Sequence, residues 1–162
     1  MNFEHLNKIT DDYKRAHELV KILFKDKKDK EGKPYIGHLE RVSQKLTKKN
    51  TKIAGLLHDV VEDTSCTLDD LKKLQFNDEI IELVKIVTNN EENFSYHGKI
   101  SSIINSNNIE AIKLKYSDML DNSNPERLKK LDSETKNYFI KKYTNELKRL
   151  ENELKERGEN LW

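Results

Sequence analysis

The chain has 162 residues, 35% of them hydrophobic and 36% charged, and its 30 lysines and arginines against 29 acids leave a net charge of +1. That length holds one core and is short for two, and the near-neutral balance gives no bulk electrostatic ground for a nucleic-acid or membrane partner. A single cysteine, Cys66, excludes an internal disulfide, and neither a signal-peptide core in MNFEHLNKIT nor a run of spanning length is present, so a reducing, cytoplasmic setting is expected.

Few Gly and Pro interrupt the chain, and apolar residues recur at three- and four-residue spacing throughout. The spacing predicts helices near 10–25, 35–48, 51–63, 67–74, 78–89, 95–106, 109–122 and 134–157. No stretch alternates with period two, so the expected fold is all-α, one domain over residues 1–162. After the first helix, KDKKDKEGKP (Lys25 to Pro34) is the most polar connection and is expected to be the most mobile. Thr67 before LDDLKKL and Asn77 before DEIIELVKIV supply N-cap signals. The last helix carries Phe139, Tyr143, Leu147, Leu150 and Leu154 on one stripe. Packing on its own domain is the expected use, and the same stripe could instead form a homodimer contact.

The chemistry concentrates in LLHDVVEDTSCTLDDL, Leu56 to Leu71. On a helical wheel over 51–63, His58, Asp59, Glu62, Asp63 and Gly55 fall in a wedge of about 140°, with Ile53, Ala54, Leu56, Leu57, Val60 and Val61 filling most of the rest. Unpaired acids are costly in such surroundings. An ion beside the side-chain-free Gly55 would supply the missing countercharge; a helix end facing solvent would also satisfy the pattern. In PYIGHLERVSQKL, His38 adjoins the Leu39–Val42–Leu46 face and points inward, as a core histidine or as a ligand. In NIEAIKLKYSDMLDN, Ala111, Lys115, Asp118 and Asn122 share a wedge of about 60° on a largely apolar helix. One shared site accounts for three inward polar groups. His38, His58, Asp59 and Asp118 would form a two-nitrogen, two-oxygen shell suited to Mn²⁺, Zn²⁺ or Fe²⁺.

The order His38, His58-Asp59, Asp118 resembles the metal-binding pattern of the HD-domain phosphohydrolase superfamily. The longer segments PYIGH, LLHDVVEDT and IKLKYSDMLDN resemble the hydrolase domain of the RelA/SpoT alarmone enzymes and the single-domain small alarmone hydrolases, from about Ala16 to Arg127. The resemblance implies an HD-type bundle of about eight helices around a buried metal site, one Mn²⁺ held by His38, His58, Asp59 and Asp118, and Glu62 and Asp63 positioning or deprotonating the attacking water. It implies removal of the 3′-pyrophosphate of (p)ppGpp to give GDP or GTP, with Lys27, Lys28 and Asn122 toward the nucleotide and its phosphates; Arg127, just past the helix, could contact a phosphate or form a surface salt bridge. This chain departs from the family in having Lys27 where Arg usually opens the basic pair, Leu39 where Pro often follows the first histidine, and Pro125 where a Thr is frequent. Two other readings stand beside it: an HD-type phosphohydrolase of another nucleotide, and a catalytically silent nucleotide-sensing module. His97, in a polar stretch, is expected to be an ordinary surface histidine.

Overall fold

A computed structural model describes residues 3–88 and 95–160, and every regular element among them is helical. A 3-10 turn, Glu4–Lys8, precedes α1 (Asp12–Leu23), α2 (Ile36–Lys45), α3 (Lys49–Leu57), α4 (Val60–Asp63), α5 (Leu68–Lys73), α6 (Asp78–Thr88), α7 (Tyr96–Asn105), α8 (Ile109–Asn122), α9 (Pro125–Leu128) and α10 (Ser133–Glu156). The predicted segments are all helical, with position 89 lying outside the described residues. Two features differ: the predicted 51–63 helix is divided into α3 and α4, and α9 is an added turn, with Pro125 in its first turn and Asn124 as its cap. Capping accounts for the sharp starts. Thr67 and Asp70 form a reciprocal capping box at α5. At α6, Asn77 Oδ1 accepts from Ile80 N at 3.0 Å.

α3 lies at the centre and packs against α1, α2, α6 and α8. Leu39 and Val42 of α2, Ile53, Leu56 and Leu57 of α3, and Ile112, Leu114 and Met119 of α8 are fully buried. Gly55 does not leave room for a ligand, contrary to the expectation from the wheel. A Cβ there would meet Leu46 Cδ1 at 2.9 Å and Ser43 Cα at 3.1 Å, so the missing side chain lets α2 and α3 approach closely. Ser43 Oγ reinforces the approach by donating to the Lys52 carbonyl at 2.8 Å.

The apolar stripe of α10 is used within the chain: Tyr143, Leu150 and Leu154 are buried, and Phe139 and Leu147 pack beside them as α10 crosses α7 and α8. No described helix is long and apolar enough to cross a membrane.

The 25–34 connection, expected to be the loosest, is folded on itself. Asp29 N donates to Lys33 O at 2.7 Å and Tyr35 N to Lys27 O at 2.9 Å, while Asp29 Oδ1 accepts from Glu31 N and Lys33 N at 2.9 and 3.0 Å. Gly32 takes the left-handed conformation (φ +77°) that closes the turn, and Lys28 and Pro34 form an isolated antiparallel bridge. A short, self-bonded Asx turn thus organises the most polar connection of the chain.

Candidate metal centre

The break between α3 and α4 makes the site. His58 Nδ1 lies 2.8 Å from the Gly55 carbonyl oxygen, so it must carry the proton and donate. That carbonyl is the acceptor Asp59 N–H would use in an unbroken helix. Asp59 instead sits at φ −97°, ψ −2°, in the bridge region between helix and strand. The turn leaves His58 Nε2 facing inward and rotates the Asp59 carboxylate toward it.

His38, on α2, is fixed in the same sense: its Nδ1 lies 2.7 Å from Asp121 Oδ2, and its Nε2 is left free. The two Nε2 atoms are buried, and neither has a hydrogen-bond partner among the described residues. Their nearest polar neighbours are carboxylate oxygens. His38 Nε2 is 3.2 Å from Asp118 Oδ1 and 3.8 Å from Asp59 Oδ2; His58 Nε2 is 3.1 Å from Asp59 Oδ2 and 3.6 Å from Asp118 Oδ1. Ligand atoms on an ion with bonds of about 2.1 Å lie about 3–3.5 Å apart. One atom each from His38, His58 and Asp118 lies within 4.8 Å of the others, so these residues could hold a metal ion. Two orphaned imidazole nitrogens and the Asp118 carboxylate fit such an ion in donor type, with the Asp59 carboxylate beside them.

Other groups orient the acids. Tyr35, three residues before His38, donates its hydroxyl to Asp59 Oδ2 at 2.5 Å. Lys115 Nζ donates to Asp118 Oδ2 at 2.8 Å and Asn122 Nδ2 to Asp118 Oδ1 at 2.7 Å. Burial favours the neutral acid of Asp118, but the Lys115 charge and the two histidines outweigh it and hold the carboxyl well below its ordinary range. Burial likewise opposes ionisation of Asp59, yet the His58 imidazolium pulls it down to about 2. In the reverse direction, burial disfavours the charged imidazoles, and the surrounding carboxylates still raise His38 and, further, His58 above the ordinary value. The cluster therefore demands positive charge, whether protons or a cation.

Glu62 and Asp63 stand on α4, directly after this turn, and both are exposed. Each meets a lysine: Lys27 Nζ is 2.5 Å from Asp63 Oδ2, and Lys99 Nζ is 3.4 Å from Glu62 Oε1. Lys27 Nζ also lies 4.1 Å from the centroid of the Tyr35 ring, which places it at the edge of the site. Lys28 is exposed on the loop. Asn122 belongs to the site through Asp118.

Arg127, open in the sequence between a phosphate contact and a surface salt bridge, lies inside the protein in ion pairs. It is 6% exposed, with Nε 2.8 Å from Glu31 Oε2, Nη2 2.9 Å from Asp29 Oδ2, and Nη1 on Asp121. Those donors are committed to carboxylates inside the protein. His97, as expected, is exposed, with its Nδ1 2.7 Å from Glu146 Oε1.

Tyr35, Arg41 and Asp121 are supporting residues of the site that the wheel does not single out, whereas Lys115 shares the wedge of Asp118. For Asp121 a signal exists: it follows Asp118 by three residues and so shares its side of the helix. For Tyr35 the signal is the same spacing ahead of His38.

A helical fold built round a turn of His and Asp, with a second histidine and a distant aspartate converging on it, defines a class. The HD domain family model matches residues 16–120, and the chain belongs to the HD domain family. Within it, the chain is 33% identical over 129 residues to the guanosine-3′,5′-bis(diphosphate) 3′-pyrophosphohydrolase of Aquifex aeolicus, covering 73% of this chain and 18% of that one. It is 35% identical over 104 residues to the guanosine-3′,5′-bis(diphosphate) 3′-pyrophosphohydrolase MESH1 of Drosophila melanogaster, covering 59% of this chain and 58% of that one. The matched region is thus under two thirds of either relative's length. A solved structure, described as a metazoan ortholog of SpoT that hydrolyzes ppGpp, superposes with a TM-score of 0.66 at 23% identity, covering 92% of this chain and 97% of that one. That likeness establishes the shared fold.

Proposed function

We propose that this chain is a Mn²⁺-dependent phosphohydrolase that removes the 3′-pyrophosphate of (p)ppGpp, leaving GDP or GTP, and that residues 1–162 act as one hydrolase domain in the cytoplasm. The observation that carries the metal-dependent reading is the pair of buried, partnerless Nε2 atoms of His38 and His58 among the carboxylates of Asp59 and Asp118. The substrate rests on the similarity to the bacterial and fly pyrophosphohydrolases.

His38, His58, Asp59 and Asp118 would hold the ion. A divalent ion there supplies Lewis acidity toward a water and positive charge opposite a phosphate. Tyr35 keeps Asp59 turned inward through its 2.5 Å bond. Glu62 and Asp63, one turn beyond Asp59, would position the attacking water, one of them accepting the proton that it gives up. Lys27 and Lys28 bring positive charge to the nucleotide's phosphates, and Asn122 offers an amide to the ribose or a phosphate. Because Lys27 is paired with Asp63 at rest, a phosphate that draws Lys27 away also releases Asp63 to work as a base. The net reaction adds water across the 3′ phosphoester.

A second reading, hydrolysis of another nucleotide, draws support from Arg127: an arginine that could have met phosphate is bound to internal carboxylates. Incubating ppGpp with metal-stripped protein plus Mn²⁺, resolving products by anion exchange, and running Asp59→Ala alongside separates the two. GDP and pyrophosphate from the wild type alone support the alarmone reading. No turnover despite Mn²⁺ binding removes it and turns the search to other nucleotides.

A further inference from the structure

Behind His38, on the side away from its Nε2, lies a buried group of charges that the chemistry above does not use. Asp121 is fully buried and accepts His38 Nδ1–H at 2.7 Å. The same carboxylate takes a two-point hold from Arg41, Nε to Oδ1 at 2.7 Å and Nη2 to Oδ2 at 3.1 Å, and is closed from a third direction by Arg127 Nη1. Arg127 Nη1 also donates to the Asp121 backbone carbonyl at 3.1 Å. Its other donors run to Asp29 and Glu31 in the 25–34 loop, the loop that carries Lys27. Only a planar guanidinium presents five donors in a fixed fork able to meet three carboxylates together. Arginine is scarce in this chain, 5 residues against 25 lysines, yet two arginines converge on Asp121. General lysine abundance does not explain that placement.

We propose that Asp121 and Arg127 are positioning residues: Asp121 fixes the ring plane and tautomer of His38 so that Nε2 faces the metal position, and Arg127 holds Asp121 while pinning the Lys27 loop. One guanidinium therefore sets both the ion's ligand and the segment proposed to meet the nucleotide. This rests on the metal-dependent reading above and deepens it. Carboxylate partners of metal-bound histidines set ring orientation and ligand basicity, and their loss commonly lowers metal affinity or activity about 10–100-fold.

The test titrates metal-stripped full-length protein with Mn²⁺, without nucleotide, for wild type, Asp121→Asn, Arg127→Gln and Arg127→Lys. Nitrogen-15 spectra of the metal-free proteins, recorded at a pH where His38 is neutral, report its tautomer, and amide exchange reports residues 26–33. The expected results are an Asp121→Asn affinity lower by about 10–100-fold, with loss of the single Nδ1–H tautomer. Arg127→Gln is expected to lower affinity several-fold and to speed exchange in the loop. Arg127→Lys, which keeps charge but not the fork, is expected not to restore either. Folded Asp121→Asn with wild-type affinity and tautomer overturns the Asp121 role. Wild-type affinity and loop protection in Arg127→Gln or Arg127→Lys overturns the Arg127 role; should the Arg127 variants not fold, Asp121→Asn still decides. A wild type that binds no Mn²⁺ overturns the metal reading itself, and this proposal with it, a result distinct from equal affinities.

Discussion

Replacing Gly55 by Ala tests whether the approach of α2 to α3 sets the site. The new Cβ would lie 2.9 Å from Leu46 Cδ1 and 3.1 Å from Ser43 Cα. A leucine methyl can rotate away; the Ser43 Cα is backbone, so α2 itself must move by a few tenths of an ångström. Overpacking of this kind costs about 1–3 kcal/mol, and the better helix propensity of Ala returns about 1 kcal/mol. The net loss is about 0–2 kcal/mol, which for a chain of this size lowers the melting temperature by up to about 8 °C. The site should feel the same displacement. His38 lies on α2 and His58 at the end of α3, their ring centroids 5.4 Å apart. Each 1 kcal/mol of strain relieved by separating them weakens cation binding roughly fivefold. Thermal melting of the metal-free protein and Mn²⁺ titration of the same preparation measure both effects. A variant that melts at or above the wild type and binds Mn²⁺ equally well would refute the reasoning, because it would show slack at the contact and no link from helix spacing to ligand spacing.

Glu62→Gln and Asp63→Asn should each lower kcat about 10²- to 10⁴-fold while leaving Mn²⁺ affinity near wild type; a matching loss of affinity would instead place them among the ligands. Lys27→Met should raise KM more than it lowers kcat, measured by initial rates on ppGpp, and unchanged kinetics would remove Lys27 from the substrate's path. Metal affinity should fall as pH is lowered. Against the opposing effect of burial, the neighbouring carboxylates hold His38 and His58 above their ordinary value, so a cation must displace their protons. Calorimetry in buffers of different ionisation enthalpy should detect proton release on Mn²⁺ binding, and no release would contradict the assignment. For the metal-free protein the sign is opposite: the raised values add stability that is complete below the unfolded-state value near about 6.5 and is lost as pH rises through the folded-state values. Thermal melts across that range would show it.

The parts legible from residue order are those where a local rule and a tertiary demand coincide. Apolar spacing finds the helices because their buried faces are continuous, and His38, His58, Asp59 and Asp118 stand out because polar groups on such faces need partners. Periodicity joins 51–63 into one helix, since Ile53 to Val61 keep helical spacing throughout. The division at His58 comes from its imidazole taking the Gly55 carbonyl, which no apolar pattern records. The absence of a side chain at Gly55 reads equally well as room for an ion or as room for a neighbouring helix, and only the position of Ser43 decides. Arg127 sits in a polar stretch and reads as a phosphate contact or a surface salt bridge; it is buried because Asp29 and Glu31, far away in the chain, fold over it. Charge composition reads the 25–34 segment as loose for the same reason, because the arginine that anchors it is not local.

The bonds that fix this centre join distant parts of the chain: His38 to Asp121 across 83 positions, and Asp29 to Arg127 across 98. On a ribosome, the first histidine and the His58-Asp59 turn emerge long before either partner exists. Until α8 and α9 follow, His38 has neither a fixed tautomer nor a facing Asp118, and its imidazole is free to exchange with water. The entropy of closing such long loops must be met before these contacts reward it, which favours their closing after the folding transition state. Contacts absent from the folding transition state act mainly on the rate of unfolding. A cation captured here would therefore act as a latch on the finished protein, slowing its unfolding while leaving the speed at which it folds nearly unchanged.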